Sequence, residues 1–212
     1  MSLSPHPYPA TRTAVVLIDP LNDFLAPNGK LNGQIGPMLD RTGLHAQLAR
    51  LAAGAREAGV PVFYAPHGLH EGVFDDVRHV LPRFRFAVDN QVFWEGTDGA
   101  DFYPPLRPQE GDVVVGRHHM FDSFAGTDLH EQLTARGIEH VVLAGLTSQT
   151  CVEGTGRHAL EAGYHVTFLT DAVADFTEEA HRAALEISYP TYGHEVTTVD
   201  GFLAAVVPAP AA

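Results

Sequence analysis

Apolar runs and helical periodicities alternate along this chain. Ala14–Asp19, AVVLID, is a continuous apolar run ending in an acid, and its β-branched content predicts a strand buried on both faces. Pro20 and the cluster Asn22, Asp23, Pro27, Asn28 and Gly29 predict a loop after it. Over Leu44–Gly59 the residues Leu44, Leu48, Leu51 and Ala55 recur at spacings of four and three, which predicts an amphipathic helix. Val60–Ala65 predicts the next strand. From Pro66 to Gly111 the periodicity lapses. That stretch holds Phe84, Phe86, Phe93 and Trp94 and a Pro104–Pro105 pair, so it is either a folded excursion of short elements or a lid. The alternation then resumes with a short strand at Val113–Val115. A helix capped by Thr127 follows, with Leu129 and Leu133 inward and Gly137 closing it. Next come a strand over His140–Ala144, a helix from near Cys151 to Gly163, and a strand over His165–Thr170. A helix from Thr177 through Ile187, a short strand at Glu195–Thr198 and a helix over Val199–Val207 complete the pattern.

Apolar strands joined by helices, without strict alternation inside the strands, predict a mostly parallel sheet covered by helices on both faces. No composition shift divides the chain. Residues 13–208 are predicted to form one domain, and residues 1–12 a loose arm. Hydrophobic residues are 45% and charged residues 18%, an ordinary globular balance. Thirteen Lys and Arg face 26 Asp and Glu, a formal charge of −13. Such a surface repels phosphate backbones and anionic lipid, so nucleic-acid and membrane partners are not expected. No apolar run approaches the roughly 20 residues that span a bilayer, and the first residues lack the apolar core of a signal peptide. One cysteine cannot pair internally, which suits a reducing compartment. A soluble cytoplasmic protein is expected.

In parallel sheets ligands sit beyond the carboxyl ends of the strands. The residues there are Asp19, Pro66-His67, Arg117-His118-His119, the loop from Gly145 to Cys151, and Asp171. Cys151 follows a strand and opens a helix, where unpaired N–H groups and the helix dipole favour a thiolate and can form an oxyanion hole. A lone cysteine can equally be a small buried hydrophobe. Asp19 is a candidate acid/base, or else a turn-capping acid. Asp171 reads as a loop-structuring residue. His118 or Arg117 can stabilise charge beside these groups, the histidine titrating near neutrality and the arginine not. No H-E-x-x-H is present, and His67 and His70 alone are a weak metal signal. No G-x-G-x-x-G follows the first strand, and neither a P-loop nor a G-x-S-x-G elbow occurs.

Residues 14–31, AVVLIDPLNDFLAPNGKL; residues 93–115, FWEGTDGADFYPPLRPQEGDVVV; and residues 123–175, which hold the run from Cys151 to Tyr164, together resemble a known family, the isochorismatase-like cysteine hydrolases, which include nicotinamidases, N-carbamoylsarcosine amidase and ureidoacrylate amidohydrolase. The resemblance implies a three-layer α/β/α fold and an Asp-Lys-Cys triad, with Cys151 on the nucleophile and Asp19 on the acid/base. It also implies a cis peptide at Leu146–Thr147 and an oxyanion hole from the N–H groups of Thr147 and Cys151. The lysine is absent: counting back from Phe124 reaches His118, and counting forward from Asp112 reaches Arg117. Leu21 stands where many relatives have glutamine. The metal motif of nicotinamidases is missing after Pro66, so neither metal nor cofactor is expected. The implied activity is cysteine-dependent hydrolysis of a small amide, carbamoyl or related C–N substrate. The alternatives are a vinyl-ether hydrolase using Asp19 without the cysteine, or a degenerate binding or scaffold protein. Phe24, Trp94 and Phe121 are candidate pocket walls for a small molecule, and a homodimer or homotetramer is expected from the family.

Overall fold

The computed structural model describes residues 7–208. The strands are β1 (Tyr8–Pro9), β2 (Thr13–Ile18), β3 (Val62–Ala65), β4 (Val113–Val114), β5 (His140–Leu146), β6 (His165–Ala174), β7 (Glu195–Thr197) and β8 (Val206–Val207). Six of them form one sheet in the order β4-β3-β2-β5-β6-β7. Every neighbouring pair in it is parallel. The chain winds outward from β2 through β3 to β4, then returns to β5 on the other side of β2. The order therefore reverses between β2 and β5, and a crevice opens at their carboxyl ends.

Neighbouring strand residues point to opposite faces, and both faces here are buried. Val15, Leu17, Val62, Tyr64 and Val142 pack under α2 (Asn32–Thr42), α3 (Leu44–Glu57) and α9 (Val199–Ala205) through Leu39, Leu48, Leu51 and Phe202. Val16, Ile18, Phe63, Val141 and Leu143 pack under α5 (Leu129–Ala135), α6 (Glu153–Glu161) and α8 (Tyr189–Tyr192) through Leu129, Leu133, Ala159 and Tyr189. The result is the three-layer α/β/α architecture, with α1 (Asn22–Leu25) in the loop after β2 and α7 (Glu178–Ala183) after β6.

Several elements differ from the expected ones. Helix α2 was masked by Gly33, Gly36 and Pro37, yet Ile35, Met38 and Leu39 bury its inner face. Strand β6 runs on past Thr170 to Ala174, because its last residues still pair with Gly145 and Leu146 of β5. The aperiodic stretch 66–111 folds around α4 (Pro82–Asp89) and two short 3-10 turns. The helix after Thr177 breaks into α7, a π-helical turn over Ala184–Ser188, and α8. The expected loose arm is docked from Tyr8 onward: β1 pairs with β8, and Tyr8, only 2% exposed, bonds the Thr167 hydroxyl at 3.0 Å. Residues 1–6 of that arm lie outside the described residues.

Candidate active site

Asp19 ends β2. Its N–H donates to the Ala65 carbonyl at 3.1 Å, and its backbone then turns into the left-handed region at φ 54°. Asparagine and aspartate tolerate that region better than other side-chain-bearing residues. The turn aims the carboxylate across the crevice, fully buried. Its Oδ1 accepts the His67 N–H at 2.7 Å and lies 3.0 Å from His118 Nε2, while Oδ2 accepts no conventional N–H or O–H hydrogen bond among the described residues.

His118 is held by a bridge between the loops that follow β3 and β4. Its N–H donates to the Pro66 carbonyl, and its carbonyl accepts the Gly68 N–H, both at 3.1 Å. Its Nδ1 lies 2.9 Å from the Met120 carbonyl. Both ring nitrogens thus face oxygen acceptors, an arrangement an imidazolium satisfies with its two N–H groups. Burial opposes charging this ring, but the charge and hydrogen bond of Asp19 and the Met120 carbonyl overcome it, so its pKa is raised. The adjacent His67 goes the other way. Burial, and then the neighbouring charge of His118, push it down to about 3, and its Nδ1 has no hydrogen-bond partner among the described residues.

The Cys151 loop reaches Asp19 because of Gly145. There φ is +119°, and a Cβ would stand 2.0 Å from the Ile18 carbonyl oxygen, so only glycine lets the end of β5 press against the end of β2. The Leu146–Thr147 peptide is cis, as the resemblance implied. A π-helical turn over Ser148–Val152 then leads into α6 and carries Cys151, which is 6% exposed. Asp175, just past β6, fixes this loop by accepting the Gln149 N–H at 2.8 Å. The Tyr189 hydroxyl donates to the Ser148 carbonyl at 3.2 Å. The Thr147 and Thr150 hydroxyls are 2.6 Å apart, and Thr150 donates weakly to Sγ at 3.9 Å.

The thiol differs from expectation. Burial, then the charge and hydrogen bond of Asp19, raise its pKa well above the usual thiol range, and the backbone hydrogen bond of Thr147 offsets only part of this. Burial and the Asp19 carboxyl thus favour the thiol form of Cys151, against the thiolate expected at a helix terminus. Met120, whose carbonyl accepts from Sγ at 3.8 Å, joins the His118 and Cys151 sides of the site.

Arg117 takes no part in this cluster. Its guanidinium donates to the carbonyls of His67 at 2.7 Å and Ala100 at 3.0 Å and braces the 66–111 excursion from outside. His118 is the residue brought to Asp19. Asp171 lies within β6 and accepts the Val199 N–H at 2.8 Å, a structural contact.

A cavity of about 350 Å³ opens over Asp19, His67, Thr147 and Cys151. Phe24 and Phe121 line it as expected, and Trp94 does not. Phe93 lines it instead, anchored by its N–H on Asp23 Oδ2 at 2.6 Å. Trp94, the next residue, pairs its backbone with Leu69 and turns its ring elsewhere. Phe84 and Phe86 of α4 and Phe176 complete the aromatic wall. The wall residues Phe84, Phe86 and Phe93 lie where the sequence shows no period. Asp175 was findable: the strand-end rule that selects Asp19 selects it too, once β6 is allowed its full length. Among the described residues no group of three or more His, Cys, Asp or Glu is placed to hold a metal ion, and no helix is long and apolar enough to cross a membrane.

With this geometry in view, the similarity to known proteins is specific. The model of the isochorismatase domain matches residues 13–200. An uncharacterized isochorismatase family protein of Bacillus subtilis is 41% identical over 101 residues, 48% of this chain and 53% of that protein, so this match spans about half of each. The ureidoacrylate amidohydrolase of Variovorax paradoxus is 27% identical over 95% of this chain and 84% of its own. The crystal structure of a cysteine hydrolase from Pseudomonas syringae pv. phaseolicola superposes with a TM-score of 0.79 at 28% identity, covering 97% of this chain and 98% of that one. A parallel sheet whose switch point carries this Asp-His-Cys crevice, together with a domain match from β2 to α9, makes the chain a hydrolase belonging to the isochorismatase family.

Proposed function

We propose that the protein is a cysteine-dependent hydrolase of a small amide, carbamoyl or related C–N substrate. The observation that carries this reading is the buried Asp19 carboxyl acting on the Cys151 thiol, both lining one open cavity. The amidohydrolase named among the relatives supports it. In the reaction, Asp19 takes the thiol proton as Sγ attacks the substrate carbonyl carbon. The N–H groups of Thr147 and Cys151 receive the oxyanion. Collapse of the tetrahedral intermediate breaks the C–N bond, and Asp19 returns the proton to the leaving amine. A thioester-type acyl-enzyme remains. Water attacks it, its proton passes through Asp19 back to sulfur, and the acid departs. The His118 imidazolium stays charged throughout and holds Asp19 in place, the part an ammonium plays in the family.

The test is release of ammonia or amine from a panel of small amides, ureas and carbamoyl compounds. Cys151→Ala is expected to lose at least about a thousandfold in kcat with the fold intact by circular dichroism. Undiminished turnover by that variant sinks the mechanism.

A further inference from the structure

The cavity's charge pattern speaks to what enters it. Its wall is dominated by six phenyl rings, and two ring pairs, Phe24–Phe93 and Phe84–Phe121, each stand 4.8 Å apart between centroids. Its base is polar, and the N–H groups there are assigned to the oxyanion of the reacting carbonyl. Asp19 is itself an acid, already bonded to His118. His67 is uncharged near neutrality, and its imidazole presents a neutral donor and acceptor. His118 is fully buried and committed to Asp19 and Met120. A substrate carboxylate close to the reacting carbonyl would meet the Asp19 carboxyl and apolar rings, with no uncommitted Lys, Arg or His cation among the described residues at the base, and burying an unpaired charge is very costly.

Among the described residues that line the cavity, Arg83 is the one Lys or Arg. It stands on α4 at the mouth, exposed, with its guanidinium 5.5 Å from the centre of the Phe121 ring. Among the described residues no carboxylate forms an ion pair with it. Phe86, on the same helix and also lining the cavity, is 54% exposed, a large apolar surface left at the rim. The cavity thus grades from a hydrogen-bonding base that already holds the Asp19–His118 pair, through an aromatic midsection, to a cationic mouth.

We propose that the substrate is an amide or carbamoyl compound whose reacting end is uncharged, whose middle is an aromatic or similarly bulky apolar group, and whose far end carries an anion received by Arg83. This deepens the hydrolase reading and rests on it. The chemistry separates this protein from enzymes whose substrates bear a carboxylate beside the scissile group.

Four amides test it: propanamide, malonamate, phenylpropanamide and the para-carboxy derivative of phenylpropanamide. Malonamate is propanamide with a carboxylate in place of its methyl group. Phenylpropanamide is expected to exceed propanamide at least about thirtyfold in kcat/KM, the return on burying one ring. The para-carboxy compound is expected to gain a further factor of about five, mostly in KM, and Arg83→Gln to abolish that gain. Malonamate is expected to fall below propanamide. Calorimetric binding to Cys151→Ala is expected to rank the four in the same order, independently of turnover. If malonamate outruns propanamide, or if the ring confers no preference in either measurement, the inference is overturned while Cys151-dependent hydrolysis stands. If the wild type hydrolyses none of the four but Cys151→Ala binds them in the expected order, amide hydrolysis is overturned and the recognition pattern stands.

Discussion

His67 and His118 sit 4.9 Å apart between ring centroids and are pushed in opposite directions. The folded pKa of His118 lies above the unfolded value of about 6.5. Its contribution to stability is therefore complete below that value and is lost as pH rises through the folded pKa. His67 falls to about 3, so the unfolded chain binds the extra proton and stability is lost as pH drops below about 6.5. At pH 5 this costs about 2 kcal/mol. Stability is expected to peak near pH 6.5. Urea midpoints against pH check this, and His67→Gln is expected to flatten the acid side alone. In the proposed reaction, activity is expected to fall on the alkaline side as His118 loses its proton. His118→Lys is expected to move that limb upward in a pH profile of kcat/KM, because lysine titrates near about 10.4. An alkaline limb that ignores the substitution removes His118 from the charge-holding role.

At the scale of elements, the site depends on two close approaches. Gly145→Ala forces a Cβ to within 2.0 Å of the Ile18 carbonyl and is expected to destabilise the fold by at least about 3 kcal/mol, read from urea denaturation. Asp23 ties three elements together: its carboxylate accepts the N–H groups of Phe93 at 2.6 Å and Lys30 at 3.1 Å beneath the loop after β2. Asp23→Ala is expected to loosen the Phe93 wall and raise KM about tenfold with a smaller change in kcat. Elements also mark what could be read from the sequence. The strands leading to Asp19 and Cys151 were legible because burial on both faces leaves an unbroken apolar run. The choice between Arg117 and His118 was not, since it turns on the pairing of His118 with His67 across two loops, which is set between segments. Helix α2 hid behind two glycines and a proline whose cost is met by tertiary packing of Ile35 and Leu39. Trp94 was named in place of Phe93 because Phe93 sits in a turn, at φ 50°, whose side-chain direction no period in the sequence marks.

For the molecule as a whole, the sheet order and its switch point follow from alternating strands and helices, and that is where the reactive residues converge. The chain ends were less legible. Tyr8 stands in a segment rich in proline, yet it wedges edge-on against Phe202 at 5.0 Å between ring centroids and bonds Thr167 in β6. Tyr8→Ala is expected to cost about 3 kcal/mol in a urea titration, which a loose arm would not show. The charge of −13 acts at this scale too. Self-repulsion is screened within about 10 Å at 0.1 M salt, so moderate sodium chloride is expected to raise the melting temperature.

The protonated thiol has a consequence in redox chemistry. Peroxide and alkylating agents attack thiolates, and in the proposed reaction the sulfur gives up its proton only as it attacks a substrate carbonyl. The chain has no second cysteine to form a protective internal disulfide. In the proposed reaction its defence against over-oxidation is instead the resting state itself: the carboxyl assigned as base in turnover is the one that, with burial, raises the thiol pKa between turnovers.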